Sequence, residues 1–312
     1  MTDKTPELTI YGGDYEHTHT LVGDLGGARL RYAATRRVQE IFIGMLETRR
    51  FEICEFSLAN YITLRAAGER WLTAIPVFPS RVFRHGLAVT HRDSALTRLD
   101  DLAGKRIGVP DYSMTAAVWF RGLLEEEYGV DLQSITWVTR AKQRFPFPRD
   151  AKIETTEADH EELLKSGKID ALLGMHLADS ARAPAERRLR PVLRDAQGEE
   201  EAYYRKTGIY PIMHCVVIRE DVLQKYPDAA AAVFRAYEAA KQQAYERQLG
   251  ATLVPWGRQS WTEKFELFGG DPLPYGLTPV NRMVIERLAT YLKRQGFASG
   301  APTVEELFPA AV

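Results

Sequence analysis

Two cysteines in 312 residues, Cys54 and Cys215, cannot form the disulfide framework that staples small secreted domains. Each lies inside an apolar run, FEICEF and IMHCVVI, where a thiol reads as a small buried side chain, so both are expected free. No window approaches the roughly 18–20 apolar residues of a membrane span. Neither sign of charge is in excess: 41 Lys and Arg face 42 Asp and Glu, a formal net charge of −1. That lacks the basic footprint of a general nucleic-acid binder. The chain has no Gly-x-Gly-x-x-Gly, P-loop, Cys-x-x-Cys or Gly-x-Ser-x-Gly, so nothing points to a nucleotide cofactor or a serine hydrolase. Repeats and low-complexity tracts are absent. The opening MTDKTPELTIYGG has no basic region, apolar stretch or small-residue cleavage site, so the expectation is a soluble, cytoplasmic protein.

What is there is ordinary globular composition, 45% hydrophobic and 27% charged, in a length that suits two domains. LTIY (8–11) is a short β-prone run stopped by Gly12-Gly13, and ARLRYA alternates as a half-buried strand does. Val38, Ile41, Phe42, Met45 and Leu46 share one face of a helix over 36–48. FEICEF (51–56) is the next strand, after which Ser57 caps a helix running to Gly68. AIPVF (74–78), GLAVT (86–90), RIGVP, ITWV (135–138), IDALLG and the TGIYPIMHCVVIRED stretch (207–221) supply further strands. Helices are expected over 115–128, in EELLKSGK, after Pro227 and over 281–295, and the stretch up to about Arg205 reads as charged and irregular. Strands alternating with helices imply an α/β fold with mostly parallel sheets. A cut near residue 98 and a return near residue 210 imply a discontinuous first lobe, 1–98 with 210–312, and an inserted second lobe, 99–209. Two such lobes are expected to take a small ligand in a cleft between them.

LDDLAGKRIGVP is similar to the start of the second lobe in type II periplasmic-binding-protein folds. With GDYEHTHTL, IPVFPSRVFRH (75–85), DYSMTAAVWFRGLLEEEYGV (111–130), YYRKTGIYPIMHCVVIRED, FGGDPLPYGLTPVNR (268–282) and VEELF (304–308), nearly the whole chain resembles the 4,5-dihydroxyphthalate decarboxylases. In that family the 14–18 stretch reads Asp-Tyr-Asp, a basic residue, then Thr; here Glu16 stands for the second Asp and His17 for the basic residue. The resemblance implies a two-lobed α/β fold of the binding-protein type II kind and a carboxy-lyase of aromatic catabolism. Its substrate would be a small hydroxylated aromatic carboxylate, with neither nucleic acid nor membrane as partner and a homo-oligomer compatible with it. A non-catalytic solute-binding protein for a carboxylate is the alternative, and another cytosolic enzyme or sensor on this fold is a third.

Decarboxylating an aromatic ring without an electron sink needs a phenolic oxygen to push electrons in and an acid to protonate the carbon bearing the carboxylate. Positioning and electrostatics carry the acceleration. Arg81 and Arg84 flank Phe83, and a guanidinium grips a carboxylate through two parallel hydrogen bonds. On an extended segment the two would point to opposite faces, so both reach one ligand only if the chain bends near Pro79. His85, His17, His19 and Asp14 are the candidates for handling protons. No cofactor is expected; the competing reading has Asp14, His17 and His19 ligate a divalent metal. Ser113 and Thr115 at a helix start, Ser57 and Asn60 after a strand, and His176 after IDALLG are the remaining ligand candidates. Each has a plain structural reading beside the functional one, as cap, core or surface residue. His214, inside an apolar strand, reads as a satisfied core or hinge histidine.

Overall fold

A computed structural model describes residues 6–25, 27–174, 177–250 and 254–309. In chain order the first elements are β1 (Glu7–Gly13), β2 (Val22–Asp24), β3 (Arg29–Thr35), α1 (Val38–Thr48), β4 (Ile53–Ser57), α2 (Leu58–Ala66) and β5 (Leu72–Arg81). Next come β6 (Ala88–His91), β7 (Arg106–Gly108), α3 (Thr115–Tyr128), β8 (Thr136–Thr139), β9 (Ile153–Thr155), α4 (His160–Lys165), β10 (Ala171–Leu173), β11 (Leu189–Pro191) and α5 (Ala196–Thr207). The chain closes with β12 (Ile212–Arg219), α6 (Glu220–Lys225), α7 (Ala229–Leu249), α8 (Gly257–Phe268), α9 (Pro279–Arg294) and α10 (Val304–Leu307).

These elements form two α/β units. The first holds the residues up to Arg81, His214–Arg282 and the chain from Pro302. Its sheet has the order β2-β3-β1-β4-β12-β5. β1 is parallel to β3 and β4, while β12 runs antiparallel to β4 with His214 opposite Ser57 and Val216 opposite Glu55. β4 is buried on both faces, as an interior strand of a covered sheet should be. Ser57 caps α2 by accepting from the Asn60 N–H, and Ile41, Phe42 and Met45 of α1 are buried.

The second unit holds Val82–Met213 and Met283–Ala301, with the sheet order β11-β6-β10-β7-β8-β9. Its apolar centre includes Val89, Val138, Leu164, Ile169, Leu172 and Leu189. The division falls elsewhere than at 98 and 210, and pairing explains why. β6 hydrogen-bonds to β10 and β11, so GLAVT goes with the second unit. α9 from Met283 onward joins it too: Tyr291 Oη donates to Glu126 Oε2 at 2.6 Å, and a Cβ on Gly122 would strike the Tyr291 ring at 2.3 Å.

α3 spans the expected residues. α5 was not expected: it lies in the stretch read as irregular, with Asp195 accepting from the Gly198 N–H and Gly208 closing it at φ +68°. Only Tyr203 of α5 is buried, so no apolar stripe announces it. α8 buries no residue at all and escaped for the same reason. Pro227 precedes the Asp228 N-cap of α7 and is not in its first turn. Cys54 and Cys215 are free and buried. Among the described residues no helix is long and apolar enough to cross a membrane.

Candidate active site

The carboxyl ends of β1 and β4 and the start of antiparallel β12 meet at one edge of the first unit's sheet. Glu55, in β4, is fully buried between Cys54 and Phe56. Pleating puts Glu55 and Ser57 on one face, and the register adds His214 to it. The carboxylate collects three donors. Gly13 N–H reaches Oε2 at 2.7 Å, Tyr15 Oη reaches Oε1 at 2.8 Å, and His214 Nδ1 stands 2.5 Å from Oε1. Burial alone would push the carboxyl up, but hydrogen bonds from His214, Gly13 and Tyr15 outweigh it and hold Glu55 below the usual glutamate range.

A carboxylate can only accept, so His214 carries its proton on Nδ1 and presents Nε2 away from the pair. Nε2 meets no partner among the described residues and is not sealed from solvent. Phe42 packs edge-on against the ring at 4.9 Å. A buried carboxylate that fixes the tautomer and aim of an imidazole is the arrangement that proton transfer uses.

Gly12 and Gly13 let this cluster close up. A Cβ on Gly12 would lie 2.2 Å from Tyr32 Oη and 3.1 Å from Glu55 Oε2; one on Gly13 would lie 2.2 Å from the Tyr15 ring. Tyr32 Oη donates to Gly13 O at 2.8 Å, and Thr18, fully buried, ties Gly13 O and Tyr15 O together through its hydroxyl. Burial, reinforced by Glu55, raises the Tyr15 and Tyr32 phenols above their ordinary value, so both stay protonated as donors.

His17 stacks on Tyr15, with ring centres 5.3 Å apart and planes within 3°, and its Nε2 lies 2.9 Å from Pro79 O. Burial lowers its pKa. His17 therefore belongs to the cluster, whereas Asp14 and His19 do not. Those two pair at 3.0 Å on the surface, with Arg36 on the other Asp14 oxygen. The alternation that would point His17 and His19 to one side gives way to a turn, and the three side chains reach different partners. Among the described residues no group of three or more His, Cys, Asp or Glu is placed to hold a metal ion.

Arg81 is 5% exposed and its Nη2 donates to Pro274 O at 2.9 Å and Asn281 Oδ1 at 2.5 Å, so it acts as a strut within the first unit, not as an open carboxylate fork. Ser57 and Asn60 are buried, and the Ser57 hydroxyl accepts from the Asn60 N–H in the α2 cap. The other candidates lie in the second unit. His85 is 2% exposed among Phe83, Tyr128 and Tyr203, and burial pushes it down to about 4, so it stays neutral and cannot serve as the acid near pH 7. Arg84 is half-buried with Nε 3.1 Å from Met213 Sδ, and burial lowers it to about 10. Ser113 is buried and bonds Asp111 through both its N–H and its hydroxyl; Thr115 opens α3. His176 lies outside the described residues.

Sequence reasoning missed Glu55, Tyr15 and Tyr32 and passed over His214 as structural. The available signal was a carboxylate at the centre of one apolar strand, Glu55 in ICEF, and a lone histidine in another, PIMHCVVI. A buried polar residue is the informative exception in such runs.

A family model described as an ABC transporter, phosphonate, periplasmic substrate-binding protein matches residues 29–145. A Comamonas testosteroni protein named 4,5-dihydroxyphthalate decarboxylase is 32% identical over 98% of this chain and 97% of its own length. A Pseudomonas putida protein of the same name is 35% identical over 54% of this chain and 68% of its own. Among solved structures, the periplasmic aliphatic sulphonate binding protein SsuA from Escherichia coli superposes with a TM-score of 0.58 at 12% identity, covering 98% of this chain and 92% of that one. That likeness shows the fold, an α/β periplasmic-binding-protein type, and carries no ligand with it.

Proposed function

This chain belongs to the 4,5-dihydroxyphthalate decarboxylase family, and from that premise we propose that it is a carboxy-lyase releasing carbon dioxide from a hydroxylated aromatic (di)carboxylate such as 4,5-dihydroxyphthalate. The observation that carries the chemistry is the buried Glu55 carboxylate bonded to His214 Nδ1 at 2.5 Å. His214 Nε2 is the proton donor and Glu55 its positioning partner.

The electron flow balances without an oxidant. The phenolic oxygen para to the departing carboxylate first gives up its proton; the phenolate then becomes a ring carbonyl as a ring electron pair takes a proton from His214 Nε2 at the carboxylate-bearing carbon. The carbon–carboxylate bond then breaks. Its electron pair returns to the ring, the carbonyl becomes a phenolate that takes back the phenolic proton, and carbon dioxide leaves. One proton is consumed overall, and His214 regains it from water. An acid so placed contributes about 10²–10⁴-fold.

The test is carbon dioxide release from 4,5-dihydroxyphthalate by purified protein in deuterium oxide, with and without chelator. The expected result is release with one deuterium at the vacated ring carbon, falling about 10²-fold or more in His214→Asn. Release unaffected by that substitution would remove His214 from the role. No release from any hydroxyphthalate would remove the activity.

A further inference from the structure

The site holds two imidazoles with opposite surroundings. His214 is bound to a carboxylate, whereas His17 is bound to a neutral backbone carbonyl, Pro79 O, at 2.9 Å. A carbonyl oxygen only accepts, so Nε2 of His17 carries the ring's proton and the neutral ring's lone pair sits on Nδ1. Nδ1 meets no partner among the described residues, yet it is not a sealed, buried atom. The face-to-face stack on Tyr15, itself bonded to Glu55, fixes the plane in which that lone pair points.

We propose that His17 Nδ1 is the acceptor for the substrate's phenolic hydroxyl, which makes His17 the residue that selects a ring-hydroxylated substrate and withdraws the phenolic proton. This rests on the decarboxylase reading and supplies its missing half. His214 delivers a proton to carbon, and His17 takes one from oxygen, returning it to the product phenolate after carbon dioxide leaves.

The surrounding charges support a neutral acceptor. Burial is the leading influence and lowers the His17 pKa; Lys241 lowers it further, while the Pro79 bond, Glu55 and Glu16 oppose. None of the carboxylates forms an ion pair with the ring. Glu55 is taken up by Gly13, Tyr15 and His214, and the Glu16 carboxylate accepts from Gln248 Nε2 at 2.6 Å. Lys241, 3% exposed, is held by Glu238, Asp271 and Leu273 O. A base and an acid tuned by different surroundings are the pairing that runs acid and base chemistry at one pH.

His17→Gln is the discriminating variant, because a glutamine amide can keep the N–H donated to Pro79 O while lacking a basic nitrogen, its amide oxygen being too weak a base to take up the phenolic proton. Two readouts are needed. The first is the ultraviolet difference spectrum of bound 4,5-dihydroxyphthalate, read in the first milliseconds of mixing. Withdrawal of the phenolic proton moves its absorbance to longer wavelength in the wild type, and the shift is expected to vanish in His17→Gln at an unchanged melting temperature. The second is turnover of 4,5-dihydroxyphthalate against a ring-fluorinated analogue whose phenol ionises more readily. Turnover of the parent compound should fall about 10²-fold and that of the analogue several-fold less. No shift in the wild type, the same shift in both proteins, or equal losses on both compounds would overturn the assignment. A wild-type shift without carbon dioxide release would instead overturn the decarboxylase reading and leave this one standing.

Discussion

Glu55→Gln tests the centre of the site with one atom changed. In the wild type Oε2 accepts from Gly13 N–H and Oε1 accepts from both Tyr15 Oη and His214 Nδ1. Glutamine has one acceptor oxygen. The Gly13 amide cannot reverse, so the oxygen turns to it and the new NH₂ faces Tyr15 and His214. The tyrosine hydroxyl can rotate, but His214 must move its proton to Nε2 and offer Nδ1 as acceptor, which is the wrong tautomer for taking up a proton from water. Turnover should fall about 10²–10⁴-fold, the scale of a lost or misdirected acid. Stability falls as well. Hydrogen bonds to a charged group contribute about 1.5–3 kcal/mol each. Gly13 keeps a neutral bond and the Tyr15 and His214 bonds are weakened, so a loss of about 2–4 kcal/mol follows. For a unit of this size that lowers the melting temperature on the order of 5–10 °C.

The loss also depends on pH in a direction the structure dictates. The folded Glu55 pKa lies below the ordinary glutamate value of 4.5, so between the two values the unfolded chain binds more protons than the folded one. The stabilisation is complete above 4.5 and fades as pH falls through the folded value. Wild type and variant should therefore converge in urea melts below pH 4.5. A variant that keeps wild-type turnover, or a stability gap that widens in acid, would refute the assignment of Glu55 as an ionised positioning residue.

Two further outcomes follow from residues outside the pair. His85 has a folded pKa near 4 against 6.5, so the second unit should lose about 3 kcal/mol as pH falls from 6.5 to 4, measured by urea melts; His85→Phe, which suits its aromatic neighbours, should flatten that dependence. His19→Ala should leave turnover within about two-fold of wild type and the melting temperature unchanged, because its pairing with Asp14 is a surface one; a large loss, rescued by added divalent metal, would restore the metal-site reading.

Local pattern alone determined much of this protein. The alternation in the strands, the Ser57 cap of α2 and the span of α3 follow from side-chain period and capping chemistry that act over a few residues. Where helices bury little, as in α5 and α8, that signal vanishes and tertiary contacts alone reveal the element. The unit boundary was out of local reach too, since β6 is assigned by its hydrogen bonds to β10 and β11, about 80 and 100 residues on. The site divides the same way. His17 stood out as a polar residue after a strand, but its tautomer is set by Pro79, and Asp14 and His19 lost their candidacy to a turn that aims them at each other. Glu55 and His214 are 159 residues apart, each alone an oddity in an apolar strand. Only the antiparallel register of β4 and β12 makes them a pair, because a carboxylate and an imidazole acquire a joint function through contact, and contact is decided by the sheet.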